Sequence, residues 1–202
     1  MAVLVLLGCT LRAAWAADLT VNITDTSGKP LKEAVVYAEP VGRPVPAPPQ
    51  APHAIIDQVH KRFVPAVNII RTGTEVFFPN SDNFRHSIYS FSPAKVFTVK
   101  LYSGKQAPPV VFDTPGLVVL GCNIHDNMAA WVVVVDTPYF AKSGAGGSAV
   151  IEDLEPGDYM LSAWYPAPAF APVVSRIHVA GEPVTSRMQI DVSASPLPPA
   201  LP

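Results

Sequence analysis

Cys122, His125 and Met128 fall within seven positions of one another in "LGCNIHDNMAAWVVVV", residues 120–135, with apolar runs of strand character on both sides. A thiolate and an imidazole are ligands for copper or zinc, whereas a thioether is soft and favours copper. The spacing C-x-x-H-x-x-M wraps one short loop around a single point, the cysteine closing one strand and the methionine opening the next. Three ligands from one loop need a fourth. His86 in "FPNSDNFRHS" supplies it from the start of another strand, after a segment rich in Asn, Asp and Ser. Two imidazoles and a thiolate in a trigonal set, with a long axial thioether, make the blue-copper arrangement used for electron transfer. The same residues admit a plainer reading, with Cys122 a small buried hydrophobe, Met128 core filling and His125 a solvated loop residue. Four coincidences favour the metal: an export signal, a lone cysteine once that signal is removed, strands on both sides of the loop, and a histidine one strand pair upstream.

The elements that must hold these residues are strands. Charged residues make up only 15% of the chain and prolines number 23, while Val, Ile, Thr, Phe and Tyr recur in short runs broken by turn formers. No stretch has a convincing helical period, so the fold class is all-β, a Greek-key sandwich or barrel. Between His53 and Asp136 the segment "AIIDQVHKRFVPAVNIIRTGTEVFFPNSD" predicts two or three strands, followed by "HSIYSFS", "KVFTVKLY", "PVVFDTPGLVVLGC" and "MAAWVVVVD". Residues 18–39 predict a β-hairpin around the turn "DTSGKP". The segment 40–52, with a proline at nearly every second position, fits neither sheet nor helix and predicts an extended linker. Further strands are expected at Ala149–Ile151, from Tyr159 to Trp164, and in "VVSRIHVA" and "SRMQIDV", with a disordered tail over 193–202.

The first residues carry an apolar run and then Ala14-Trp15-Ala16, the small-residue pattern a signal peptidase reads, so residues 1–16 are expected to be a signal peptide and the protein periplasmic. No Lys or Arg precedes the apolar run, which leaves room for an upstream start. "LLGC" at residues 6–9 offers the alternative of a lipid anchor at Cys9. No later stretch approaches the ~18 apolar residues of a membrane span. Loss of Arg12 with the signal takes the formal charge from −2 to −3, which excludes a basic field for nucleic acid. Loss of Cys9 leaves Cys122 without an internal disulfide partner.

At the ligand loop the chain resembles a known family. Residues 54–136 resemble a cupredoxin, and "CNIHDNM" is similar in ligand spacing to amicyanin, the blue-copper acceptor for methylamine dehydrogenase. The fuller run from "FPNSDNFRHSIYSFS" to "MAAWVVVVDTPYF" resembles bacterial periplasmic proteins of the plastocyanin-like or methylamine-utilisation type. The flanks "VNITDTSGKPLKEAVVYAE" and "GGSAVIEDLEPGDYMLSAWYP" resemble the two halves of a carboxypeptidase regulatory-like domain, a transthyretin-like sandwich. The combined resemblance implies a cupredoxin domain over 53–137 inserted into a discontinuous sandwich of 17–39 plus 138–192. It implies His86, Cys122 and His125 as equatorial copper ligands and Met128 as the axial one, holding one type 1 copper ion. It further implies that the backbone N–H of Ser87 bonds the thiolate. Asn83 or Asn80 is a candidate to brace the loop, with a turn role as the alternative. Amicyanin's loop has prolines beside its second histidine, whereas here Ile124 and Asp126 flank His125, so a looser loop and a more polar docking face are expected. A carboxylate at Asp126 close to the site would pull the reduction potential down.

Other residues draw plainer expectations. His53, His60 and His178 read as surface histidines, a second metal at His53 and His60 being the alternative. Trp131 and Trp164 read as core, and the carboxylates of "DLEPGDY" as solvated turn residues. No G-x-S-x-G elbow, Walker loop or H-E-x-x-H occurs, so hydrolase chemistry has no support. The expected function is therefore not enzymatic: a periplasmic carrier of single electrons between redox partner proteins, with the outer sandwich as scaffold or docking module. The alternatives are a copper-binding or copper-delivery protein of the envelope and a purely structural envelope- or carbohydrate-binding sandwich.

Overall fold

A computed structural model describes residues 15–46, 52–103, 107–125, 127–166 and 171–193. Among them are no helices and seventeen strands: β1 (Ala17–Asp25), β2 (Val35–Pro40), β3 (His53–Ile55), β4 (Asp57–Gln58), β5 (Phe63–Val64), β6 (Val67–Arg71), β7 (Thr74–Phe77), β8 (His86–Ser92), β9 (Lys95–Tyr102), β10 (Val110–Phe112), β11 (Gly116–Gly121), β12 (Ala129–Val135), β13 (Phe140–Lys142), β14 (Ser148–Leu154), β15 (Gly157–Trp164), β16 (Val173–Val179) and β17 (Val184–Ile190). They form four principal sheets, in the orders β14-β1-β17, β13-β2-β15-β16, β6-β12-β11-β8-β9 and β10-β7-β3, with β4-β5 as a separate small hairpin.

The side-chain alternation of the strands decides how these sheets stack. In β1, Leu19, Val21 and Ile23 are buried, and they meet Val36 and Ala38 of β2 and Tyr159, Leu161 and Ala163 of β15 in one core. The opposite faces of β2 and β15 present Val35 and Trp164 to a second core, completed by Val67 of β6 and by Val133 and Val135 of β12. The other face of β12, Ala130, Val132 and Val134, belongs to a third core with Ile88, Phe112, Val118 and Leu120. Four sheets are thus layered around three apolar seams, and β12 is buried on both sides. This accounts for its unbroken run "WVVVV": a strand with no solvent face has no reason to alternate with polar residues. The metal-ligand candidates lie against the third core, at one end of the five-stranded sheet.

Two expectations require correction. The residue 18–39 hairpin does not form: β1 pairs antiparallel with β14 and parallel with β17, while β2 pairs with β13 and β15. Residues 26–34 arch across the first core, so β1 and β2 bury their apolar faces against each other from opposite sheets. The two or three strands expected up to residue 82 are five short ones, β3 to β7, because turns at 60–61 and 72–73 and the prolines at 65 and 79 cut the run. Conversely, "HSIYSFS" and "KVFTVKLY" coincide with β8 and β9, and the alternating segments after Ser148 with β14 to β17. The short β13 was not foreseen. Residues 41–46 carry no strand, as a proline-rich connection should. The expectations for residues 1–14 with Cys9, for 47–51, for Asp126 and for the tail 194–202 fall outside the described residues.

Candidate metal centre

The loop 122–128 joins two adjacent antiparallel strands whose last rung pairs Gly121 with Ala129. Cys122 leaves β11 and Met128 enters β12, both buried in the third core. The amide of Met128 donates to the carbonyl of His125 at 3.0 Å, closing the loop into a turn. The strand ends are fixed by the sheet, so the backbone positions of both residues are fixed with them.

His86 opens β8 with no exposed surface. The β8–β9 register slips between His86 and Ile88, a bulge that turns Ser87 toward the loop, as bulges beside functional sites commonly do. The Ser87 hydroxyl accepts the amide of Asn123 at 3.1 Å and lies 3.9 Å from Cys122 Sγ. The contact seen to the sulfur is therefore made by the Ser87 side chain, where the expectation named its backbone N–H. Asn80, not Asn83, braces the segment before His86: its side-chain amide donates to the carbonyls of Phe84 and Tyr102, each at 3.0 Å, and its oxygen accepts the amide of Asp82.

The donor atoms of His86, Cys122 and His125 all lie within 4.8 Å of one another. His86 Nδ1 and Cys122 Sγ are 3.8 Å apart. Bonds of ~2.0 Å to nitrogen and ~2.3 Å to sulfur, opened to ~120°, put those two atoms about 3.7 Å apart, so the pair is spaced nearly as it would be around one ion. Met128 is buried in the same apolar cluster as Cys122. A thiolate, two imidazoles and an adjacent thioether fit a soft first-row ion, and copper above the others.

Sequence reasoning missed Asp82. Its Oδ2 lies 2.8 Å from His86 Nε2, the ring nitrogen opposite the one facing Cys122. The carboxylate also accepts the amides of His60 at 2.7 Å and Lys61 at 3.0 Å. These two residues form the two-residue turn of the β4–β5 hairpin, both at positive φ, 52° and 59°. Such a turn favours Gly or Asn, and the carboxylate compensates by capping both of its amides. Burial by itself raises the Asp82 carboxyl, but the Lys61 amide, the His86 ring and the His60 amide outweigh it and hold the group below the ordinary carboxylate range. A carboxylate on the outer nitrogen fixes the imidazole tautomer with Nδ1 free to ligate and raises its basicity. The signal was present as Asp four residues before His, in a segment whose Asn and Ser residues make turns equally well.

Phe84 completes the surroundings, its ring 5.1 Å from that of His86 and 5.7 Å from that of His125. The two histidine rings are 4.9 Å apart. His86 is enclosed, while His125 is partly exposed beside the exposed Ile124. Of the other histidines, His60 touches the site only through its amide on Asp82, His53 is 3.4 Å from Glu75, and His178 is 2.7 Å from Asp158 across β15 and β16. Among the described residues no other group of three or more such ligands converges, at His53 and His60 or elsewhere. Trp164 is buried and Trp131 packs partly buried, both in the seam between the sheets.

No family model and no curated protein matches the chain. Among solved structures it is similar to a reduced amicyanin variant, with 18% identity over 40% of this chain and 79% of that one and a TM-score of 0.37. It is also similar to a copper-containing nitrite reductase from Thermus scotoductus, with 27% identity over 48% of this chain and 25% of that one, TM-score 0.39. A third is a purple cupredoxin from Nitrosopumilus maritimus, with 25% identity over 40% of this chain and 95% of that one, TM-score 0.35.

Proposed function

We propose that the protein is a type 1 copper protein of the periplasm that carries single electrons between partner proteins, and that His86, Cys122, His125 and Met128 would hold the ion. The observation that carries this reading is the convergence of one thiol and two imidazoles within 4.8 Å, drawn from two chain segments. Copper bound there supplies one-electron chemistry at a soft, largely buried site. The chain's own contribution is rigidity. His86 is held by β8 and by Asp82, Cys122 and Met128 by the ends of β11 and β12, so the ligands need not move between oxidation states. His125, partly exposed on the loop, offers the edge through which electrons pass to a partner.

Burial argues against the delivery alternative, because a carrier that hands over its ion needs ligands that open. Cys122 is 5% exposed and His86 0%. Export fits the same reading: β1 begins at Ala17, so a cut after Ala16 removes no strand residue. The outer sheets, β14-β1-β17 and β13-β2-β15-β16, we read as a carboxypeptidase regulatory-like sandwich that serves as a scaffold. The test is an oxidised sample reconstituted with Cu(II). An intense absorption near ~600 nm with narrow copper hyperfine splitting reports a thiolate–Cu(II) bond, and it must vanish in C122S. A copper adduct that is colourless when oxidised would overturn the electron-carrier reading.

A further inference from the structure

Phe84 borders two spaces at once. Its partly buried ring meets both ligand imidazoles, 5.1 Å from that of His86 and 5.7 Å from that of His125. The same residue lines an open surface depression of about 500 Å³, together with His60, Lys61, Ser81 and Asn83. We infer that Phe84 is the side chain that shuts solvent and small anions out of the metal centre, so that electrons can leave the site while exogenous ligands cannot enter it.

Three features carry this role. First, the rings of Phe84, His86 and His125 are in mutual contact, the two imidazoles being 4.9 Å apart. Rings at such separations leave no room for water between them. His86 is accordingly fully buried and Cys122 nearly so, although the depression opens beside the segment that carries His86. Second, the ring is held in place. The Asn80 side chain donates to the Phe84 carbonyl at 3.0 Å, and the ammonium of Lys61 lies over the ring, 5.5 Å from its centre, a cation–π contact. Third, the ligands are positioned by other groups: His86 by Asp82 and β8, Cys122 and Met128 by the ends of β11 and β12. Phe84 is left with the work of exclusion. An ion with three or four protein donors takes up a further ligand wherever a position stays open, which is what separates catalytic sites from closed ones. Lys61 would draw anions into the depression, so the barrier beside it must be steric.

The role assigned to Phe84 rests on the copper reading for its purpose, while the shielding itself concerns side chains alone, and the test separates the two. In the copper-free full chain, alkylation of Cys122 by iodoacetamide is followed by peptide mass spectrometry in wild type, F84L and F84A. Loss of the ring should speed the reaction at least ~10-fold, because a buried thiol otherwise waits for its surroundings to open. F84L keeps an apolar plug and should stay within ~3-fold of wild type. Fluorescein maleimide, too bulky for a gap the size of one ring, should gain less in F84A than iodoacetamide does. In the Cu(II)-loaded chain, azide should leave the ~600 nm band of the wild type unchanged and shift it saturably in F84A. Should F84A fail to fold, F84V takes its place in each comparison. Alkylation equally slow in wild type and F84A, equal gains for both reagents, or an azide response already present in the wild type would each overturn the inference. A loaded wild type without the band would overturn the copper reading instead, and the alkylation rates would then decide the shielding by themselves.

Discussion

Asp82 is the side chain on which the tuning of the metal centre turns. It faces the outer nitrogen of His86 and simultaneously caps the two amides of the His60–Lys61 turn, so ligand orientation and hairpin geometry depend on one carboxylate. In D82N the shape is kept and the charge is lost. Copper affinity is expected to fall ~10- to 100-fold, as for other partners of ligating histidines. The reduction potential is expected to rise, because the negative charge beside the imidazole favours the more highly charged oxidised state. Competition titration and protein-film voltammetry measure the two effects, and an unchanged potential would leave Asp82 with a structural role only. At this scale the four ligand candidates were legible because Cys, His and Met at close spacing are chemically distinctive. Asp82 and Ser87 were not, since a carboxylate or hydroxyl in a polar segment looks the same whether it caps a turn or supports a ligand.

Between single residues and the whole lie the strands and the turns that aim them. Local pattern predicted β8, β9 and β12 well, the first two as short β-rich runs between turn formers and the last by its unbroken apolar run. Pairing is a different matter: β1 with β17, β3 with β7 and β6 with β12 are parallel neighbours far apart in sequence. Nothing local marks such partners, and the turn "DTSGKP" shows that the chain reverses without showing that it changes sheets. Gly147 is where the arch from β1 meets the start of β14. Its φ is +74°, and a Cβ there would lie 2.5 Å from the backbone carbonyl of Ile23, which itself cannot retreat without disturbing β1. G147A is therefore expected to destabilise the fold by roughly 1–3 kcal/mol, measured by urea unfolding. The copper spectrum of the folded fraction should be unchanged, because the third core lies two sheets away. A wild-type midpoint in G147A would show that the turn adapts more freely than its packing implies.

Taken whole, the molecule is four sheets joined by three apolar seams, and the middle seam makes the stability of the copper-site sheets depend on the outer ones. Val133 sits in that seam between β12 and the sheet of β2 and β15. V133D buries an unpaired charge there and is expected to separate one cooperative transition into two, seen as non-coincident near-UV and copper-band melts. Coincident melts in the variant would mean that the seam does not couple the two halves. Alkali offers a second probe. Burial pushes the phenols of Tyr102, beside the third core, and Tyr159, in the first, up to about 12. The unfolded chain ionises near ~10 while the folded chain does not, so stability present below that pH is lost as pH rises from there toward 12. Y102F and Y159F should each flatten that loss, read as midpoint against pH, and a slope identical to wild type in both would place the alkaline sensitivity elsewhere. The proposed function depends on four side chains from two segments meeting at one ion. Copper K-edge X-ray absorption on the reconstituted full chain tests this most directly: it should show one short sulfur at ~2.2–2.3 Å with two nitrogens near ~2.0 Å, whereas a shell of nitrogen and oxygen alone would contradict it.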